Sequence, residues 1–173
     1  MLADMAYGEH PRHKLDLFLP ERDEPRLLVF VHAGGWTGGD KANYRALGEM
    51  LAGFGYAVAL PNHRLAPEFP YPAAAEDVAA AVAFLLRSSA ESGIRGEGML
   101  LGGHSSGGHL AALTALHPRY QPVAPVAGVI CISAVYDLTR YAEADDYLGP
   151  VFGPDLAVWD DASPLRHLGP GAP

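Results

Sequence analysis

Short apolar runs alternate along the chain with segments of helical periodicity. Residues 27–31 (LLVFV) and 56–60 (YAVAL) are uninterrupted apolar runs, which are typical of strands covered on both faces of a parallel sheet. Residues 98–102 and 126–133 predict two more strands of this kind. Residues 14–19 instead alternate between polar and apolar positions and end at a proline, which predicts a half-buried edge strand.

Helices are predicted between these strands. Residues 44–54 carry apolar side chains at helical spacing, residues 73–86 are rich in alanine, and residues 106–116 predict a third helix. One short helix is expected within residues 141–159, and no strand is expected after residue 133. Strands that alternate with helices predict an α/β fold, a doubly wound and mostly parallel sheet with right-handed crossovers.

Length and composition narrow the class of protein. The 173 residues contain no linker-like segment, so residues 1–173 are predicted to form a single domain. The net charge is −8 and the 12 basic residues are scattered, which argues against nucleic acid or an anionic membrane as partner. The N-terminus lacks the features of a signal peptide, and the lone Cys131 is expected to be a small buried residue. These features favour a soluble cytoplasmic protein.

The candidate chemistry is concentrated in residues 103–108 (GHSSGG), between a predicted strand and a predicted helix. Glycines on both sides of Ser105 remove the Cβ atoms that would clash where a strand turns sharply into a helix, so the serine can adopt a strained, exposed conformation. A serine hydroxyl is a poor nucleophile until geometry and a base activate it. The pattern therefore predicts a nucleophile elbow with Ser105 as the nucleophile.

A second glycine-rich turn, residues 32–36 (HAGGW), follows the strand predicted at residues 27–31. Backbone N–H groups in such a turn can stabilise the oxyanion of a tetrahedral intermediate. The residue after the nucleophile, Ser106, is expected to donate a further N–H. Each motif alone is short enough to occur by chance, but a glycine turn after one strand and an elbow after a later strand form a much more specific pair.

Four segments together resemble the α/β-hydrolases of the esterase and lipase group, which includes hormone-sensitive-lipase-like enzymes, feruloyl and acetyl esterases, and kynurenine formamidases. The segments are residues 15–20, residues 32–41, residues 62–67 together with 72–78, and residues 103–110. The resemblance implies hydrolysis of a carboxylic ester through an acyl-enzyme on Ser105, without a metal or an organic cofactor. It also implies an oxyanion hole formed by Gly34, Gly35 and Ser106. Ala33 departs from the all-glycine form of this turn, and a positive φ there would be strained.

The triad acid and histidine follow the serine in this architecture. By resemblance, residues 162–167 precede the last core strands, so the chain is expected to be an N-terminal portion that lacks those strands, the acid and the histidine. Asp137 is expected to be structural and His167 to lie in a surface loop. His117 is expected to be a cation at the end of a helix.

The other histidines have structural interpretations. His104 is expected to orient the elbow, His109 to pack within the fold, and His32 to brace the glycine turn. Residues 10–13 (HPRH) have the spacing of metal ligands, but no second cluster accompanies them, so no metal site is predicted.

Two alternatives to an esterase stay open. One is an arylformamidase that uses the same groups on an N-formyl amide, and the other is a non-catalytic protein that binds a ligand in a hydrolase fold. Trp36, Phe69 and Tyr71 either line an acyl pocket or belong to the core. A sheet without its last strands exposes an apolar edge, which predicts marginal behaviour or association with another chain, including a homo-oligomer.

Overall fold

A computed structural model describes residues 1–141 and 145–173. The strands and α-helices are, in chain order, β1 (Leu2–Ala6), β2 (Lys14–Phe18), β3 (Arg26–Val31), α1 (Arg45–Gly53), β4 (Tyr56–Pro61), α2 (Ala73–Ser92), β5 (Arg95–His104), α3 (Ser106–Leu116), β6 (Val126–Ile132), α4 (Asp145–Phe152) and α5 (Leu156–Asp161). Short 3-10 helices span Lys41–Tyr44, Leu138–Tyr141 and Pro164–His167. None of the α-helices in these two ranges is long and apolar enough to cross a membrane.

The strands form one mixed sheet in the order β1-β2-β4-β3-β5-β6. Strands β4, β3, β5 and β6 are parallel, whereas β2 is antiparallel to both of its neighbours. Successive side chains of a strand point to opposite faces. In β3, Leu28 and Phe30 face a cluster shared with α1, while Leu27 and Val29 face the larger cluster built with α2 and α3. Helices on both faces confirm the predicted doubly wound sheet of α/β-hydrolase type.

The prediction of a half-buried edge strand over residues 14–19 is wrong. Strand β2 lies inside the sheet, between β4 and β1. Strand β1 was not predicted from the sequence. Asp16, the polar position of the alternating pattern, is fully buried. Its Oδ1 accepts a hydrogen bond from Lys41 Nζ at 2.6 Å, and its Oδ2 accepts one from Arg45 Nε at 2.7 Å. The alternation therefore marks a buried ion pair and not a solvated face.

Helix α3 is observed with its predicted bounds, and the other predicted elements are observed with altered lengths. Helix α2 continues to Ser92 and ends at Gly93, which adopts a left-handed conformation with φ 67°, as expected of a glycine at a helix C-terminus. Strand β5 is longer than predicted at both ends. Two α-helices, α4 and α5, lie where one was expected.

Strand β6 is the edge of the sheet over the described ranges. Ile130 and Ile132 are 46% and 48% exposed, so the predicted apolar edge is observed. Cys131, between them, is a free and only partly buried cysteine, which corrects the expectation that it is buried. The correction follows from the position of β6, because a strand with one neighbour is covered less completely than an inner strand.

Candidate active site

Ser105 occupies the sharp turn between β5, which ends at His104, and α3, which begins at Ser106. Its backbone has φ 53° and ψ −119°, a region that non-glycine residues rarely adopt and that stores strain at functional sites. The conformation is held by two hydrogen bonds. The Ser105 N–H donates to the Ile132 carbonyl at 2.8 Å, and the Ser105 carbonyl accepts from the His109 N–H at 3.0 Å.

The glycines beside Ser105 allow α3 to cross very close to the sheet. A Cβ on Gly107 would collide with the carbonyl oxygen of Val31 in β3, and a Cβ on Gly103 would collide with the backbone of Gly107. The start of α3 therefore touches the end of β3 directly. The predicted reason for these glycines, removal of clashing Cβ atoms, is confirmed by these contacts.

The glycine turn that follows β3 also requires unusual backbone angles. Gly34 and Gly35 have φ 148° and φ 59°, and Trp36 has φ 60°. The Gly38 N–H closes the turn by donating to the Gly34 carbonyl at 2.9 Å, and a Cβ on Gly34 would collide with the Gly38 carbonyl. Ala33 is not among the residues with positive φ, so its Cβ is accommodated without strain.

The structure brings the turn and the elbow to the same edge of the sheet. Strands β3 and β5 are parallel neighbours in which Val31 pairs with Gly103, so the two segments leave the sheet side by side. Within the described ranges, the N–H groups of Gly34 and Gly35 donate to no other residue. The Ser106 N–H lies in the first turn of α3, where backbone N–H groups have no partner within the helix. These donors are available to an anion.

The three histidines near the elbow are each engaged in a hydrogen bond that does not involve Ser105. His104 Nδ1 lies 2.9 Å from the Tyr44 hydroxyl. His109 Nδ1 accepts from Trp36 Nε1 at 3.1 Å, and burial lowers the pKa of His109 to about 4. His32 Nδ1 lies 2.9 Å from the Ala33 carbonyl. These contacts agree with the bracing and packing roles predicted for these histidines.

Over the described ranges, no histidine or carboxylate side chain makes a hydrogen bond to the Ser105 hydroxyl. Asp137 lies within 3.4 Å of Arg140 and 3.7 Å of Arg166, as expected of a structural residue. A hydrogen bond from Thr139, together with these arginines, lowers the pKa of Asp137. The described residues therefore present a strained serine and free backbone N–H groups on the neighbouring turn, and no histidine or carboxylate among them is hydrogen-bonded to that serine.

Residues 15–142 match the BD-FAE family. The chain belongs to this family. The match includes nearly all of β2 and continues through β6, so the glycine turn and the elbow with Ser105 both lie inside it.

Named relatives of this BD-FAE chain include hydrolases of more than one kind. Esterase LipC of Mycobacterium tuberculosis is 30% identical over 194 residues, which cover 98% of this chain and 48% of LipC. Kynurenine formamidase of Danio rerio is 29% identical over 141 residues, which cover 79% of this chain and 47% of that enzyme. The chain spans about half the length of these two curated relatives.

The fold of the BD-FAE chain also matches solved structures. A crystal structure of a proposed thioesterase from Silicibacter sp. TM1040 superposes with a TM-score of 0.83 at 34% sequence identity. The match covers 96% of this chain and 62% of that chain.

Three side chains of the BD-FAE chain lie close enough to share a metal ion: His117, Asp161 and His167. Their hydrogen bonds argue against that use. His117 Nδ1 accepts the Arg119 N–H at 3.0 Å, so the ring proton is on Nε2, which donates to Asp161 Oδ1 at 3.1 Å. A metal ion would need the lone pair of this Nε2. The His117 ring therefore closes the C-terminal end of α3 through hydrogen bonds to Arg119 and Asp161. His167 lies in a 3-10 helix and not in an irregular surface loop.

The three aromatic residues considered for an acyl pocket differ in their burial. Trp36 is buried and Tyr71 packs against the same hydrophobic cluster, whereas Phe69 is half-buried and packs edge-on against His10. Together with Phe152 they surround a space of only about 10 Å³, which is roughly the volume of a single water molecule. The structure therefore supports the core interpretation for Trp36 and Tyr71.

Three residues at the site were not predicted: Tyr44, His63 and Tyr147. The His63 ring stacks on His32 with 4.5 Å between centroids. A Cβ on Gly35 would collide with the Tyr147 hydroxyl, so α4 places an exposed phenol against the glycine turn. Each of these contacts joins segments that are distant in the chain, and no local sequence pattern indicates them.

Proposed function

We propose that this BD-FAE chain provides the nucleophile and the oxyanion hole of a serine esterase that acts on carboxylic esters. The observation that carries the proposal is the strained Ser105 at φ 53° beside unpartnered backbone N–H groups on an adjacent turn. Strain of this kind persists where function requires it.

In the proposed reaction, Ser105 Oγ attacks the acyl carbon and loses its proton to a base. The carbonyl oxygen becomes an oxyanion that accepts hydrogen bonds from the N–H groups of Gly34, Gly35 and Ser106. Collapse of the intermediate releases the alcohol with a proton and leaves an acyl-enzyme, which water then hydrolyses. The loss of one such donor typically slows turnover about 10²- to 10³-fold.

The base is the part of this mechanism that the described residues do not supply. His104 and His109 are closest to Ser105 in the chain, and both are engaged elsewhere by hydrogen bonds. Acylation of Ser105 in this chain alone is therefore expected to be slow unless a base is added. A small imidazole in solution can take that role because it has the chemistry of a histidine side chain.

The substrate is proposed to be a small-molecule ester, by analogy with the esterase among the relatives. An N-formyl amide is the second candidate, because a kynurenine formamidase is also similar to the chain and the same nucleophile and donors would serve it. A ligand that is bound without turnover is the third candidate. It predicts a complex in which Ser105 stays unmodified.

The setting of the protein is also proposed. Residues 1–173 are taken as one domain, since no composition break divides them. A cytoplasmic location is proposed from the single cysteine, because secreted proteins more often carry disulfide-bonded pairs. A homo-oligomer is supported by the exposed apolar residues of β6.

The test is the accumulation of acylated Ser105, measured by intact mass and peptide mapping. The chain is incubated with p-nitrophenyl acetate, or with an aryl formamide, in the presence and absence of imidazole. Ser105→Ala is the variant, and Ser92→Ala, at the far end of α2, is the matched control. We expect Ser105 to be acylated, and we expect imidazole to accelerate this acylation. The Ser92→Ala variant should still be acylated, whereas the Ser105→Ala variant should not. A folded chain whose Ser105 stays unmodified with imidazole present would contradict the proposal.

A further inference from the structure

The hydroxyl of Tyr44 joins the two halves of the candidate site. It accepts a hydrogen bond from the Ala33 N–H at 3.2 Å, and it lies 2.9 Å from Nδ1 of His104. Ala33 begins the glycine turn, and His104 immediately precedes Ser105. One side chain therefore contacts the oxyanion turn and the nucleophile elbow through the same oxygen atom.

The direction of the two hydrogen bonds follows from the chemistry of a phenol. A tyrosine hydroxyl has one proton to donate and accepts through its oxygen. The oxygen accepts the Ala33 N–H, so the hydroxyl keeps its own proton to donate to His104 Nδ1. The bond to Tyr44 also occupies the Ala33 N–H and leaves those of Gly34 and Gly35 for a substrate.

Tyr44 is held independently of both segments that it joins. It ends the 3-10 helix Lys41–Tyr44, whose N-terminus is capped by Asp40 through the Ala42 N–H at 2.9 Å. Its ring packs against Phe30 of β3 with 5.4 Å between centroids. Lys41 of the same helix is buried on Asp16. The hydroxyl is thus a fixed point against which the turn and the elbow are both aligned.

We propose that Tyr44 is a positioning residue that holds the oxyanion donors and Ser105 in their relative geometry. The expected effect of Tyr44 on acylation rests on the proposed function. The hydrogen bonds of Tyr44 are observed independently of that function. Misplacement of a reacting group by about 1 Å can slow a reaction roughly 10²-fold. Loss of a bond that only aligns such groups is expected to slow acylation about tenfold.

The test compares Tyr44→Phe with Tyr56→Phe. Both tyrosines pack in the same hydrophobic cluster, and within the described ranges the Tyr56 hydroxyl has no hydrogen-bond partner. In Tyr44→Phe, we expect the Ala33 amide to exchange with solvent up to about tenfold faster and the ¹⁵N shift of His104 Nδ1 to move. The rate constant for labelling of Ser105 by a fluorophosphonate, with imidazole present, is expected to fall about tenfold without a change in reversible binding of the reagent. Tyr56→Phe is expected to leave all of these values unchanged.

A second pair of variants tests the same bond from its other end. His104→Asn keeps an acceptor near the position of Nδ1 and is expected to label at close to the wild-type rate, whereas His104→Ala is expected to be as slow as Tyr44→Phe. Unchanged Ala33 exchange and an unchanged labelling rate in Tyr44→Phe would overturn the proposal. An unlabelled wild-type Ser105 would contradict the proposed function instead, and the exchange and ¹⁵N measurements would still decide whether Tyr44 aligns the two segments.

Discussion

The indole Nε1–H of Trp36 donates a hydrogen bond to Nδ1 of His109 over 3.1 Å. Trp36 lies in the glycine turn, and His109 lies one helical turn after Ser105. Since Nδ1 accepts, the ring proton is on Nε2, which donates to the Ala162 carbonyl at 2.8 Å. The fully buried ring thus connects the turn, the elbow helix and the segment after α5, and only its neutral form can make both bonds.

Buried neutral histidines make the stability of the fold depend on pH. Burial lowers the pKa of His109 to about 4, and burial together with the neighbouring His32 lowers that of His63 to about 3. In the unfolded chain both pKa values return to about 6.5. Below pH 6.5 the unfolded state binds these protons and the folded state does not. The free energy of unfolding therefore has its full value above pH 6.5 and decreases as the pH falls towards 4.

Urea unfolding between pH 7 and 4.5 checks this expectation. Each of the two histidines contributes a slope of up to roughly 1.4 kcal/mol per pH unit. His109→Gln keeps a donor for the Ala162 carbonyl and removes one titrating ring, so part of the histidine slope between pH 6 and 5 is expected to disappear. The rest of the slope is retained by His63 and His32, whose pKa values burial also lowers. A free energy of unfolding that stays level between pH 6.5 and 5, or a variant with the wild-type slope, would contradict this account.

Prediction from the sequence succeeded at positions where the backbone conformation or a close contact allows only one residue type. The glycines at 34, 35, 103 and 107 were interpretable because backbone with positive φ, or in direct contact with other backbone, excludes a Cβ. The alternation of apolar runs with helical segments predicted the order of strands and helices for a similar reason. Both patterns are local, so they can be interpreted without knowing which segments pack against each other in the fold.

The rest of the site depends on contacts between distant residues. The bond between Trp36 and His109 spans 73 positions, and that between Tyr44 and His104 spans 60. Asp16 shows the same limit within the fold, because its partner Lys41 lies 25 positions away. A polar residue in an alternating strand is equally compatible with solvent and with a buried cation. Only the tertiary structure distinguishes the two.

Gly107→Ala tests the close crossing of α3 over β3. The added Cβ would collide with the backbone of Val31 and His32, which cannot move without disturbing the sheet. We expect the free energy of unfolding to fall by about 1–3 kcal/mol. Gly53→Ala, in α1, is the matched control, because its Cβ meets nothing within 4 Å and alanine is the better helix former by up to about 1 kcal/mol. Equal unfolding midpoints in urea for the two variants would refute the close crossing.

Asp16→Leu tests the buried ion pair of β2. Burial opposes ionisation of Asp16, but hydrogen bonds from Arg45 and Lys41 outweigh it and lower the pKa of the carboxyl. Removal of the carboxylate leaves the exposed Asp4, at 2.9 Å, as the one acidic partner of the buried Lys41 among the described residues. A loss of about 3–5 kcal/mol in the free energy of unfolding is expected.

The double variant Asp16→Leu with Lys41→Met is expected to be more stable than Asp16→Leu alone, because it also removes the uncompensated charge. Urea unfolding of the single and double variants measures the coupling between the two residues. If the effects of the two substitutions simply add, Asp16 and Lys41 do not depend on each other and the interpretation fails.

The β6 edge makes a prediction about association. The seven residues of β6 (VAGVICI) include no charged side chain, and charges on edge strands normally prevent pairing between sheets. Ile132→Lys is therefore expected to increase the monomer fraction in sedimentation velocity, measured with reductant so that Cys131 forms no disulfide. Val123→Lys adds the same charge at a residue that is 97% exposed and lies before β6, and it is expected to change association much less. If both variants change association equally, net charge and not the strand edge controls it. A wild-type chain that is monomeric at every concentration would remove the support for a homo-oligomer.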